Sequence, residues 1–237
     1  MRCLAVVLVA ALAAPVLAAP TPVAPAAPGV GAKVAAPVST GKSASAGPGT
    51  SAVRQANDTI AGLLTQKAPV GSPAEKDLAA KVTTSVRGFL DIDQLGKRAM
   101  ADNWAKLTKA QQDTFQQLLR DLIEENYIRG LRANLTYQVE YASEAADKDG
   151  NVIVTTKVKT TRKGRPYTIG VDYVLVKEGG KLRAWDVKTD GVGLVENYRA
   201  MFNKIIAKDG FDGLIAKMKK KQGGGAAPAG TAAPAGT

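Results

Sequence analysis

The chain has 237 residues and a formal charge of +11, from 32 Lys plus Arg against 21 Asp plus Glu, with no histidine and a single cysteine, Cys3. That composition removes the commonest general base and metal ligand and rules out an intramolecular disulfide. It leaves a basic surface that suits anionic lipid headgroups, acidic proteins or nucleic acid, or that simply solvates the chain.

The N-terminus carries Arg2, the apolar run Leu4 to Leu17, and small residues up to Ala18. This is a secretory signal pattern over residues 1–18. The run is shorter than the roughly 20 residues that a membrane span requires. Export argues against nucleic acid as a partner. Cys3 lies inside the signal, so the mature chain would lack cysteine altogether. Residues 19–51 are rich in Pro, Ala, Gly and Ser, with Lys33 and Lys42 as the only charges, and read as a flexible linker. Residues 222–237 read as a disordered Gly/Pro/Ala tail. Residues 52–221 remain as one domain, large enough to bury a core or enclose a cavity.

Within that domain, Val53, Ala56, Ile60, Leu63 and Leu64 recur at helical spacing, so a first helix is predicted to about Gln66. Ser72-Pro73-Ala74-Glu75 opens a second helix, with Ser72 as cap and Leu78, Val82, Val86 and Phe89 on one face. Asp91-Ile92-Asp93 starts a third, carrying Leu95, Ala99, Met100 and Trp104. Thr108 to Gln111 is a capping box ahead of the longest helix, whose broad stripe includes Phe115, Leu118, Leu119, Leu122, Ile123, Tyr127 and Leu131.

The period then changes from 3.6 to 2. Leu135, Tyr137, Val139 and Tyr141 alternate with polar residues, and Val152, Val154, Thr156 and Val158 follow the turn at Asp147–Asn151. Lys163-Gly164-Arg165-Pro166 turns into Tyr167, Ile169, Val171, Tyr173 and Leu175, and Glu178-Gly179-Gly180-Lys181 turns into a fourth strand over Leu182–Lys188. Three successive hairpins make a four-stranded antiparallel meander with one apolar face. Helices over Leu194–Lys208 and Phe211–Lys221 follow, separated by Asp209-Gly210. A block of helices, a block of strands and closing helices define an α+β domain in which helices must cover the sheet.

Catalytic signatures are scarce. The chain has no G-x-S-x-G, no P-loop and no G-x-G-x-x-G. Asp91 and Asp93 stand at a helix cap, and Glu124 and Glu125 are adjacent on a helix and cannot converge. Asp186 and Asp190 lie at a strand end, where they serve a turn, face a partner, or form the carboxylate pair of a hydrolase. Tyr198-Arg199 either binds an anionic headgroup or is a surface arginine beside a core tyrosine.

The stretch Trp185-Asp186-Val187, Gly191-Val192-Gly193-Leu194-Val195, Asn197-Tyr198-Arg199 and Phe202 resembles the C-terminal hallmark of the MlaC family. Phe89-Leu90-Asp91-Ile92-Asp93, Leu95-Gly96, Ala99-Met100, Trp104, Leu107-Thr108, Gln111, Phe115, Leu118-Leu119 and Tyr127 are similar to another block of that family, and Gly210-Phe211-Asp212-Gly213-Leu214-Ile215 to its closing helix. Gly193 departs from the serine often found there.

The resemblance implies a periplasmic phospholipid-binding protein, the soluble component of an Mla-type ABC transport system, which is not an enzyme. Its implied partners are an outer-membrane lipoprotein–porin complex and an inner-membrane ABC transporter. It would be a monomer with no cofactor and no metal, carrying a phospholipid as cargo in an apolar cavity between sheet and helices. Moving two acyl chains through water costs about 0.8 kcal/mol per CH₂, on the order of 20 kcal/mol in total, so aliphatic lining is what the task demands. On this reading Val171, Tyr173, Leu175, Val187, Val192, Leu194, Phe202 and Ile206 line the cavity, with Tyr198 and Arg199 at its rim. Two other readings stand beside it: an envelope hydrolase using Asp186 and Asp190, and a ligand-free basic envelope adaptor.

Overall fold

The computed structural model describes residues 47–130, 137–162 and 165–223. The signal pattern, most of the linker, the tail beyond residue 223, Leu131, Leu135 and the Lys163-Gly164 turn lie outside the described residues. The helices are α1 (Pro48–Leu64), α2 (Pro73–Phe89), α3 (Ile92–Met100), α4 (Lys109–Gly130) and α5 (Leu194–Gly223), with a 3₁₀ turn at Ala101–Lys106. The strands are β1 (Tyr137–Ala146), β2 (Val152–Arg162), β3 (Arg165–Glu178), β4 (Lys181–Thr189) and β5 (Val192–Gly193). They form one antiparallel sheet in the order β1-β2-β3-β4-β5. The sheet therefore has five strands where the alternation predicts four. The fifth is two residues long and pairs Val192 with Thr189, too short to show a period.

Local signals account for the starts of α2, α3 and α4. Ser72 Oγ accepts from Glu75 N at 3.2 Å, Asp91 Oδ1 from Gln94 N at 3.0 Å, and Thr108 exchanges hydrogen bonds with Gln111. The predicted third helix divides: Ala101 adopts φ 46°, so Trp104 stands on the 3₁₀ turn and not on α3. Asp209-Gly210 does separate two helices, as expected: Gly210 adopts the non-helical φ 70° and ψ -177°, so α5 is two helical segments joined at a kink.

Two β-bulges set which side chains face inward. Without one, alternate residues share a face. In β4 the register steps from Leu175 opposite Ala184 to Val174 opposite Asp186, leaving Trp185 unpaired. Ala184 and Val187 thereby both turn inward, each 1 % exposed. In β1 the shift at Ala142 brings Glu144 onto the same face as Tyr141.

Glu144 explains why the first helix starts at Pro48, inside the segment that composition assigns to the linker. Its carboxylate accepts from Gly49 N at 3.0 Å and from Thr50 N at 2.7 Å, capping α1 from the sheet. Gly49 permits the approach, since a Cβ there would come within 2.6 Å of Val152 Cγ1. Partial burial of the Glu144 carboxyl is outweighed by these amide hydrogen bonds, so its pKa lies below the ordinary glutamate value. Its contribution is therefore present above the unfolded value of about 4.3 and is lost as pH falls through the folded-state value. Glu144→Gln is expected to lower stability by about 1 kcal/mol at neutral pH. Urea melts across pH should show that gap narrowing in acid, and a gap that is constant with pH would contradict the cap.

Candidate functional site

The inner face of the sheet and the helices enclose one apolar interior. Val154 and Val158 of β2, Val171, Tyr173 and Leu175 of β3, and Val187 of β4 pack in a single cluster with Val53 and Ile60 of α1, Val86 and Phe89 of α2, Phe115 and Tyr127 of α4, and Phe202 of α5. Cross-strand register builds the face: Val154 lies opposite Tyr173, and Tyr173 opposite Val187. Aromatic rings join the helices across it. Phe202 meets Phe115 edge-on at 5.3 Å between ring centroids and stacks on Tyr198 at 5.4 Å, and Phe89 meets Tyr173 edge-on at 6.1 Å.

Of the residues singled out in the sequence, Val171, Tyr173, Leu175, Val187, Leu194 and Phe202 are buried in this cluster, and Ile206 is half-buried against it. Val192 does not join them. It is 48 % exposed, because the pleat of β5 turns Gly193 inward and Val192 out. Tyr198 is half-buried, and burial pushes its hydroxyl up to about 12. Arg199 is exposed and donates Nη2 to the Arg98 carbonyl at 2.9 Å, so its guanidinium is partly committed to protein.

The carboxylates considered for catalysis act on backbone. Asp186 is buried, and its Oδ1 accepts from Val187 N at 2.9 Å and from Val195 N at 3.1 Å. It is neither a turn nor a partner-facing charge; it caps the start of α5. Burial raises its pKa above the ordinary aspartate value despite the amides of Val195 and Val187. Gly193 gives it room, since a Cβ there would stand 2.6 Å from Asp186 Oδ2. Asp190 is exposed and accepts from Gly170 N at 2.9 Å.

Ion pairs brace the helical layer outside the apolar cluster. Arg87 of α2 grips the buried Glu124 of α4 through two nitrogens, and Arg120 of α4 grips Asp93 of α3 at 2.8 and 2.6 Å. A cleft of about 530 Å³ beside this brace is lined by Asp93, Trp104, Lys109, Gln112, Asp113, Gln116, Gln117 and Arg120. Its cations are already paired, Lys109 with Asp113 and Arg120 with Asp93. Among the described residues there is no group of three or more His, Cys, Asp or Glu suited to a metal ion, and no helix long and apolar enough to cross a membrane.

Sequence patterning did not mark the polar atoms inside the apolar cluster. Tyr127 and Tyr173 are both 0 % exposed, and neither hydroxyl meets an acceptor in hydrogen-bond geometry among the described residues, although the Asn57 side chain comes close enough to the Tyr173 oxygen to act on it as a donor. Asn57 is 1 % exposed; its Nδ2 donates to Tyr141 Oη at 3.2 Å, and its Oδ1 is unpartnered. Each such group costs about 1–3 kcal/mol of desolvation. The available signal was Asn57 itself, a polar residue four positions from Val53 on the buried stripe of α1.

The family model for MlaC protein matches residues 54–220. No curated protein matches the chain. Among solved structures, the phospholipid-binding protein from Ralstonia solanacearum, determined in complex with a phospholipid, superposes with a TM-score of 0.59 at 23 % identity. That alignment covers 73 % of this chain and 95 % of the other, and it shows a shared fold.

Proposed function

Since the chain belongs to the MlaC family, we propose that it binds a phospholipid by its acyl chains in the interior between sheet and helices. It would carry that lipid through the periplasm, as the soluble component of an Mla-type ABC system, between an outer-membrane lipoprotein–porin complex and an inner-membrane transporter. The family match over nearly the whole described domain carries this reading. The interior supports it: an aliphatic and aromatic enclosure is what holds acyl chains out of water, at about 0.8 kcal/mol per CH₂. The Ralstonia protein of the same fold was determined with a phospholipid, which supports the same cargo here.

A hydrolase would need Asp186 and Asp190 free to reach substrate, whereas both accept backbone amides. The test is direct. The protein is exported in a Gram-negative host, purified without detergent, and analysed by native mass spectrometry and solvent extraction. A co-purifying phospholipid is expected, along with uptake from liposomes after delipidation. Protein that arrives empty and takes up nothing would end the proposal.

A further inference from the structure

Hydrocarbon needs no hydrogen bonds, yet three elements deliver polar atoms into the apolar interior. Tyr127 comes from α4, Tyr173 from β3 and Asn57 from α1. The Tyr127 and Tyr173 hydroxyls and the Asn57 Oδ1 are buried without a partner among the described residues. They occupy one region: Tyr127 and Tyr173 pack in one buried cluster, and Asn57 donates to Tyr141, which packs against it. Asn57 also approaches the Tyr173 oxygen as a donor, which leaves the Tyr173 O–H itself without an acceptor. Phenylalanine would fill both tyrosine positions equally well in a pocket made for chains alone.

Unpaired donors in a water-poor site mark what the ligand must bring. A buried hydroxyl recovers its lost hydration only when an acceptor arrives with the ligand. The acceptor must also be neutral. No lysine or arginine is buried among the described residues, so nothing there compensates a phosphate or carboxylate. An ester carbonyl meets both conditions.

We infer that the interior recognises the ester carbonyl oxygens of its cargo through the hydroxyls of Tyr127 and Tyr173, and so selects ester-linked over ether-linked lipid. This rests on the carrier reading. It adds that the lipid enters past its acyl chains, to the level of the glycerol esters.

The delipidated protein is titrated with diester and diether phospholipids of identical headgroup and chain length. About tenfold tighter binding of the diester is expected, a difference of about 1.4 kcal/mol. Tyr127→Phe and Tyr173→Phe should each shrink that ratio, and the double variant should bind both lipids alike. A second readout guards against a purely structural role: in the delipidated protein both Phe variants should melt at or above the wild-type temperature, since each removes an unpaired hydroxyl. Equal affinity of the wild type for the two lipids overturns the inference while leaving the carrier reading intact. A melting temperature lowered by either Phe variant also overturns it, because the hydroxyl then already has a partner, such as buried water. Failure to bind either lipid removes the carrier reading and this inference together.

Discussion

Val171→Glu should abolish phospholipid uptake. Val171 is 0 % exposed on the inner face of β3, opposite Thr156 on one side and Thr189 on the other. An ionised carboxylate at that point costs several kcal/mol, and a protonated one still sets a polar group against acyl chains. Either form replaces favourable burial of hydrocarbon with an unpaired group at the middle of the proposed lining. Because the same site supports the fold, Val171→Ala is the companion variant. It forfeits about 2 kcal/mol of packing but introduces no polarity, and it should still take up lipid. Uptake from liposomes, read beside circular dichroism, separates the two effects. A folded Val171→Glu protein that retains full lipid content would remove this residue from the lining.

Phe202→Ala should produce the largest loss of stability of any single truncation considered for this chain. Phe202 is 1 % exposed, lies edge-on to Phe115 and is stacked on Tyr198, so it joins α5 to α4 through one ring. Removing a buried phenylalanine typically costs about 3–5 kcal/mol, a large share of a total stability of about 5–15 kcal/mol. For a domain of this size, that lowers the melting temperature by about 6–20 °C in calorimetry. Lipid uptake should fall with it, since the cavity left behind lies beside the proposed lining. A loss below about 1 kcal/mol would show that the ring is not packed as described.

The α+β class, the helical faces and the strand order were legible because burial imposes periods of 3.6 and 2 on the chain. Ser72, Asp91 and Thr108 were legible as caps because each acts within three residues of itself. Glu144 and Asp186 were not: Glu144 reaches back more than ninety residues to Gly49 and Thr50, and Asp186 reaches past β5 to Val195, beyond the three-residue span of a local cap. No local pattern encodes such a bond, so Gly47-Pro48-Gly49 read as linker and Asp186 as a turn or partner-facing charge. Val192 was misplaced for a related reason. The residues after Asp190 form a second strand, whose pleat reverses the inward position by one. The inner apolar face was legible only in part. Alternation picked out Val171, Tyr173 and Leu175, while the bulge at Trp185 alone explains how Ala184 and Val187 share their face. The unpartnered hydroxyls could not be read at all, since a tyrosine on an apolar stripe looks the same whether or not its oxygen is satisfied.

The caps on α1 and α5 have a mechanical consequence. Each helix is anchored to the sheet at its first turn, so the anchored end acts as a pivot and displacement grows with distance from it. From Leu194 to the kink at Gly210, α5 is a lever about 24 Å long at 1.5 Å per residue. A tilt of about 10° at the Asp186 pivot moves the Tyr198–Phe202 turn by only about 1–2 Å, but carries the kink about 4 Å from the sheet, roughly the width of a hydrocarbon chain. The leverage is greatest at the kink, the end of the arm farthest from the carboxylate that holds it.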